Sequence, residues 1–338
     1  MKDLVHKNPF PYTPVDWCWP LEKLKGGRTL VSIGSCFSES VAGKLLSSGF
    51  RGAQNPNGIL YNPYSIQDAV QRLDIGYEPS DFFEFQGKWH SWAHHGSFSA
   101  EDRMEAVERA ERARKIFFKY LKKAELCMIT FSSAVVYRHL PEKRIVANCQ
   151  KVPENEFTRE LLSHQSCLAC MTAVCRKIRE WNRDCAIVLT VSPVCHYPGD
   201  LLLNSRSKAL LLESAYETAD KEERVVYFPA YEIMTCELRD YRFYADDLLH
   251  PSALAEKIIL ERFLDCCFEE NARFQYEEAE RKLRQSCHIP LKEKFSGTSM
   301  FDRAERANPL SAECLQHRNV SQAEMPIEQS VQKELETC

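Results

Sequence analysis

The sequence predicts an α/β fold built on a parallel sheet with helices on both faces. Three observations carry this. Four short apolar runs lie at 29–34, 125–131, 185–192 and 224–228, each of strand length and ending in small or turn-forming residues. Their Val, Ile and Leu residues stand consecutively rather than in alternation, as in strands buried on both faces. Amphipathic segments separate them, and strand–helix alternation at these lengths implies a parallel sheet.

The first run leads into a helix expected at 38–48, with Ser38 or Ser40 available as N-cap. A long charged helix at 101–123 precedes the second run, with Met104, Val107, Ala110, Ile116, Phe117 and Leu121 near one face. Helices are expected at 156–181 before the third run, at 205–220 before the fourth, and at 252–269 to close the domain. The stretch 66–99 breaks the rhythm with aromatics and histidines, among them Phe82, Trp89, His90, Trp92, His94 and His95. It reads as an insertion or lid over the C-terminal edge of the sheet. The layout is an N-terminal extension (1–27), a main domain (28–270, with a lid-like insertion and helix at 66–124), and a C-terminal helix with a polar tail (271–338) that reads as mobile beyond about 300.

Composition narrows the function classes. With 338 residues, 44% hydrophobic and 27% charged, the chain is an ordinary globular one. A net charge of −4 gives no reason to expect nucleic acid or an anionic membrane as partner. No window approaches 18 uncharged apolar residues, and the N-terminus lacks a signal-peptide core, so a cytoplasmic location is the expectation. The 15 cysteines sit mostly in apolar runs, where free cysteine behaves as a small buried hydrophobe. Cys167, Cys170 and Cys175 read as a helix stripe. His90, His94 and His95 read as pocket lining, so neither a metal nor a cofactor is expected.

Two motifs carry chemistry. Gly34-Ser35-Cys36-Phe37 follows the first strand and opens a helix, where free N–H groups and the helix dipole favour a developing negative charge. Ser35 there is either a nucleophile or a helix cap. Asp247 and His250 lie three residues apart, with Pro251 holding His250 in an extended conformation. His250 can act as general base and Asp247 can orient its imidazole. Cys36 is a rival nucleophile, since a helix N-terminus favours its thiolate. Successive residues at such a turn point in different directions, so only one can aim at His250.

The sequence resembles the GSCFA domain family, a branch of the SGNH/GDSL hydrolase superfamily. The resemblance is carried by Ile33-Gly34-Ser35-Cys36-Phe37, by 55–63 (Asn-Pro-Asn-Gly-Ile-Leu-Tyr-Asn-Pro), and by His90-Ser91-Trp92 with His95. Ala147-Asn148-Cys149, Thr190 to Val194 with His196, 228–232, and 244–251 complete it. It implies a three-layer α/β/α flavodoxin-like fold and a Ser-His-Asp ester hydrolase. By it Ser35 is the nucleophile, His250 the base and Asp247 the orienting acid. The oxyanion hole would draw on the Ser35 N–H, Gly58, Ser133 and Asn62, and the substrate pocket on His90, His95, Asn148 and His196. Ser132-Ser133 stand where the family tends to carry Gly-Thr. Gln150, Cys195 and Ala93 stand where a histidine, an arginine and an acidic residue would be expected. The implied substrate is a small-molecule or carbohydrate ester, with a small acyl group such as acetyl removed. An acyltransferase on the same machinery, and a non-catalytic binding module that keeps the fold, are the alternatives.

Overall fold

A computed structural model describes residues 13–25, 29–197 and 199–286. In chain order the elements begin with β1 (Thr29–Gly34), α1 (Cys36–Ser47), β2 (Arg51–Gln54) and α2 (Pro63–Gln71). A hairpin follows, β3 (Phe82–Phe85) with β4 (Lys88–Ser91), and then α3 (Arg103–Leu121) and β5 (Leu126–Phe131). Next come β6 (Val135–His139), β7 (Arg144–Val146), β8 (Phe157–Leu161), α4 (His164–Trp181), β9 (Ala186–Val191) and α5 (Leu201–Lys221). The chain continues through β10 (Val225–Tyr227), α6 (Ala230–Glu232), α7 (Ala253–Cys267) and α8 (Glu270–Ser286).

The central sheet has the order β10-β9-β5-β1-β2, and every pairing in it is parallel. Taken by position along the chain this is the flavodoxin-like order 2-1-3-4-5. In register across β1, β5 and β9, Val31, Cys127 and Ile187 face one side with Ile33, Ile129 and Leu189. That side packs on α2, α3, α4 and α5. Leu30, Leu126 and Ala186, with Met128 and Val188, face the other side and pack on α1, α6, α7 and α8. The three α/β/α layers follow from this two-sided burial, because an apolar strand face must be covered from both sides.

Several elements differ from expectation. β2 was not foreseen, because its Arg-Gly-Ala-Gln sequence at the sheet edge is only partly buried and shows no apolar run. The first part of the helix expected at 156–181 is β8, which pairs antiparallel with β6 in a small separate sheet. Ile66, Ala69, Val70 and Leu73 belong to the main core beneath α4, so the start of the segment read as a lid is part of a covering layer. The β3–β4 hairpin forms a two-stranded sheet separate from the central one. It is tied to the loop after β2, where His95 N–H donates to Asn57 O (2.8 Å) and Asn57 Nδ2 donates to Ala93 O (2.9 Å).

Residues 13–25 lie along the α7 end of the sheet, with Leu24 bridged to Phe268 and the Trp17 ring against Phe228. One compact unit runs to Arg281, and a second begins at Lys282 inside α8. The tail read beyond 300 lies outside the described residues. Among the described residues no helix is long and apolar enough to cross a membrane.

Candidate active site

In an open sheet of this order, ligands bind where the strand order reverses, at the C-terminal ends of the strands. Here that crevice lies between β1 and β5. Gly34, the last residue of β1, has φ +142°, and a Cβ on it would lie 2.2 Å from Thr130 O on β5. Glycine therefore lets the chain turn while staying pressed against the central strand. Ser35 follows in extended conformation as the N-cap residue of α1, and Cys36 is the first helical residue.

Ser35 makes no side-chain cap, in contrast with Asn62, Asp102, Ser163 and Ser252, which all cap their helices. Nor do Ser38 or Ser40 serve as the cap foreseen from sequence, since the helix begins before them. Ser35 is fully buried, and its Oγ has no hydrogen-bond partner. An unmade hydrogen bond of this kind costs about 1–3 kcal/mol, so it asks for a reason.

Asp247 and His250 come together on the loop before α7. One carboxylate oxygen of Asp247 accepts the N–H groups of Leu249 (2.9 Å) and His250 (3.0 Å), and the other meets His250 Nδ1 at 2.7 Å. The loop is closed by Ala245 N–H to His250 O (2.8 Å) and by Cys195 N–H to Leu249 O (3.1 Å). Burial pushes the Asp247 carboxyl up, but the two N–H groups and the imidazole outweigh it and hold it below its ordinary value. Because Asp247 occupies Nδ1, the imidazole presents Nε2 outward.

The side chain with the largest influence on this imidazole is that of Cys36. Interaction with the Cys36 thiol is the largest contribution raising the His250 pKa to about 9. Partial burial opposes it, and Asp247 adds to it. Asp247 and His250 thus lie within electrostatic reach of Cys36 in the first turn of α1, while the Ser35 hydroxyl is buried without a partner.

Around this centre lies a second buried group of residues at the ends of β5 and β9. Ser132 Oγ hydrogen-bonds His196 Nε2, and the His196 ring stands edge-on to Tyr61 at 5.0 Å. Burial, followed by the charges of Lys208 and His250, lowers the His196 pKa to about 3, so its imidazole is neutral. Lys208, from α5, is fully buried and donates to Ser132 O (2.8 Å) and Ser192 O (2.7 Å). Burial lowers its pKa to about 7, against smaller opposing effects of Cys195 and Cys36. A lysine in an amphipathic helix reads as solvated in a sequence, and nothing there marks this one as buried.

Two of the expected oxyanion donors, Gly58 and Ser133, are engaged elsewhere. Gly58 N–H donates to Asn55 O (2.9 Å). Ser133 Oγ donates to Val135 O (3.2 Å), accepts from Val135 N–H (2.9 Å) and lies 3.2 Å from Tyr197 Oη. Asn62 Oδ1 accepts Ser65 N–H (2.9 Å) and so caps α2, a bond that does not use the Asn62 amide donors. The helix N-terminus at Ser35 remains, its first N–H groups uncapped by any side chain of the cap residue. A donor that sequence reasoning missed is Asn55, whose Nδ2 is buried without a partner.

Of the expected pocket residues, His196 lies close enough to His250 for each to bear on the other's charge. His90 instead bonds Ser99 Oγ (2.7 Å) and Gln150 Oε1 (3.3 Å). Asn148 accepts Gln150 N–H (2.8 Å), and His95 caps the short helical turn at 96–98. Gln150 also donates to Ser91 O and His94 O, so the residue standing in place of a histidine fastens the hairpin. His94 is fully buried against Tyr77, Phe82 and Phe98, and burial lowers its pKa to about 3. Among the described residues no three His, Cys, Asp or Glu side chains are grouped to hold a metal ion.

The sequence model described as the GSCFA family matches residues 29–263. No curated protein matches the sequence. Among solved structures, a family 3 carbohydrate esterase from Talaromyces cellulolyticus is similar over 76% of this chain and 99% of its own, at 9% identity and a TM-score of 0.33. A family 3 carbohydrate esterase from Clostridium thermocellum is similar over 71% and 94%, at 7% identity and 0.33. An acetyl xylan esterase from the rumen bacterium Butyrivibrio proteoclasticus is similar over 71% of this chain and 63% of its own, at 9% identity and 0.37. The family match spans the whole sheet and takes in Ser35, Asp247 and His250, and this chain belongs to the GSCFA family.

Proposed function

We propose that this protein is an SGNH-type serine ester hydrolase that removes a small acyl group, such as acetyl, from a small-molecule or carbohydrate ester. The observation that carries this reading is the Asp247–His250 pair, joined at 2.7 Å and turned toward the start of α1 at the C-terminal edge of the sheet. Asp247 fixes the proton on Nδ1, which leaves Nε2 to accept the hydroxyl proton of Ser35. Attack on the ester carbonyl forms the Ser35 Oγ–C bond and pushes the carbonyl electron pair onto oxygen. Collapse of that intermediate expels the alcohol, which takes the proton from His250. Water, deprotonated by the same imidazole, then releases the acid and restores Ser35.

This route requires the Ser35 hydroxyl to turn out of its buried position and reach Nε2 of His250. The energetic argument for such a turn is the unpartnered state of Ser35 Oγ, which gains a hydrogen bond on reaching His250.

A second reading has a specific observation in its favour. The thiol of Cys36 has the largest influence on the His250 imidazole, which suits a Cys-His-Asp nucleophile. The two separate in a p-nitrophenyl ester panel with the protein, Ser35→Ala and Cys36→Ala. The serine reading predicts turnover that falls on the order of 10³-fold or more in Ser35→Ala and survives in Cys36→Ala. The reverse pattern assigns the thiol. Absence of turnover by the unaltered protein across the panel contradicts the hydrolase reading.

A further inference from the structure

Asn55 is the first residue after β2, beside the end of β1. We infer that Asn55 is a catalytic residue of the hydrolase proposed above, its side-chain N–H donating to the oxyanion that forms when Ser35 attacks.

The hydrogen bonds fix which end of the amide is which. Gly34 N–H donates to the Asn55 side chain at 3.0 Å, and only the carbonyl oxygen of a carboxamide can accept it. The other branch is therefore the NH₂ group, with two donors. That nitrogen is buried and has no partner, and so does the Oγ of Ser35, the residue adjoining Gly34. The neighbourhood thus holds an unsatisfied nucleophile and an unsatisfied donor together. Native proteins keep few such groups, and each calls for a specific explanation.

The position of Asn55 is pinned. Its N–H donates to Ser32 O (2.8 Å), its carbonyl accepts Gly58 N–H (2.9 Å), and Leu60 N–H reaches back to Gly34 O (2.9 Å). Its φ of +43° lies in the left-handed region, which asparagine tolerates better than most residues. To swing its amide away, Asn55 would have to abandon the Gly34 N–H. The donor is thereby held before any substrate arrives, the condition under which an oxyanion contact is most effective. It also fills a gap, since the Gly58 N–H and the Ser133 hydroxyl are committed elsewhere.

In the attacking step the Ser35 Oγ–C bond forms, the carbonyl π pair becomes the third lone pair on oxygen, and the Ser35 proton passes to His250 Nε2. The new negative oxygen accepts Asn55 Nδ2–H and the N–H groups at the start of α1. Both returning steps reverse that charge, so the contact is strongest in the intermediate. Ser35 Oγ and Asn55 Nδ2 are closed off from solvent in this form, so the step requires the turn at Ser35 to open while Asn55 keeps its bond to Gly34.

The test uses Asn55→Asp in the full chain, with p-nitrophenyl acetate. Aspartate keeps an acceptor for Gly34 N–H and removes both donors. Asn55→Gly, which suits the positive φ, serves if the first variant does not fold. The expected result is a fall in kcat of about 10²–10³-fold with KM changed less than about threefold. A kcat within about twofold of the unaltered protein in a folded variant overturns the role of Asn55, while loss of turnover in Ser35→Ala would leave the hydrolase reading standing. Absence of turnover in the unaltered protein removes that reading, and this inference with it.

Discussion

Replacing Lys208 with methionine tests how the end of the sheet is built. The ammonium is fully buried and is held by two main-chain carbonyls, Ser132 O at 2.8 Å and Ser192 O at 2.7 Å. Two acceptors need only two of its three N–H groups, so the neutral amine keeps both bonds. Burial lowers the pKa to about 7 from 10.5. Between those values the unfolded chain holds a proton that the folded chain has released, so stability rises with pH in that window. Below pH 7 the burial of charge costs about 5 kcal/mol, and between pH 7 and 9 about 2 kcal/mol of that is recovered. The raised pKa of His250 acts with the opposite sign. Its contribution is present below the unfolded value near 6.5 and is lost as pH rises through about 9. Both proteins share that term, and His196 titrates far below the window, so the difference between them isolates Lys208. Urea unfolding at constant ionic strength, at pH 7, 8 and 9, measures it. The unaltered protein should gain about 2 kcal/mol over Lys208→Met across the range. A difference independent of pH would refute the reasoning, because it would mean that the folded protein leaves the lysine pKa where the unfolded chain has it.

Cys36→Ala removes the largest influence raising the His250 pKa, so the rising limb of kcat/KM against pH should move down from about 9 toward the ordinary histidine range. An unmoved limb would show that the thiol does not govern the imidazole. Gly34→Ala places a methyl group 2.2 Å from Thr130 O at a φ of +142°, and should cost more than about 3 kcal/mol by urea denaturation or prevent folding. A stable Gly34→Ala protein would mean that β1 and β5 part at their ends more easily than their register suggests.

The sheet was legible because its inner strands are buried on both faces, as in Ala186–Val191, where every residue is buried. The edge strand Arg51–Gln54 was not, since half-exposed polar residues pair there through main-chain groups that any sequence supplies. Phe157–Leu161 failed for a related reason, because its partly exposed Thr-Arg-Glu pattern fits a helix as well as a strand. Within the site, Asp247 and His250 could be paired from a three-residue spacing and a proline. Whether Ser35 or Cys36 faces the imidazole could not, as it depends on the residue at which α1 begins. Sequence also gives no sign that Gly34 takes the carbonyl end of Asn55, or that Lys208 runs inward to the strand ends. Those are properties of packing between segments far apart in the chain.

The proposed function requires Ser35 Oγ to be the atom acylated in turnover. Its most direct test is to treat the protein with a fluorophosphonate, digest it with trypsin, and locate the adduct by fragmentation of the 29–44 peptide, which holds both Ser35 and Cys36. A single phosphonyl group is expected on Ser35, absent after Asp247 and His250 are both replaced by alanine. An adduct on Cys36 or on Ser132, or an unlabelled peptide from protein that hydrolyses esters, would contradict it.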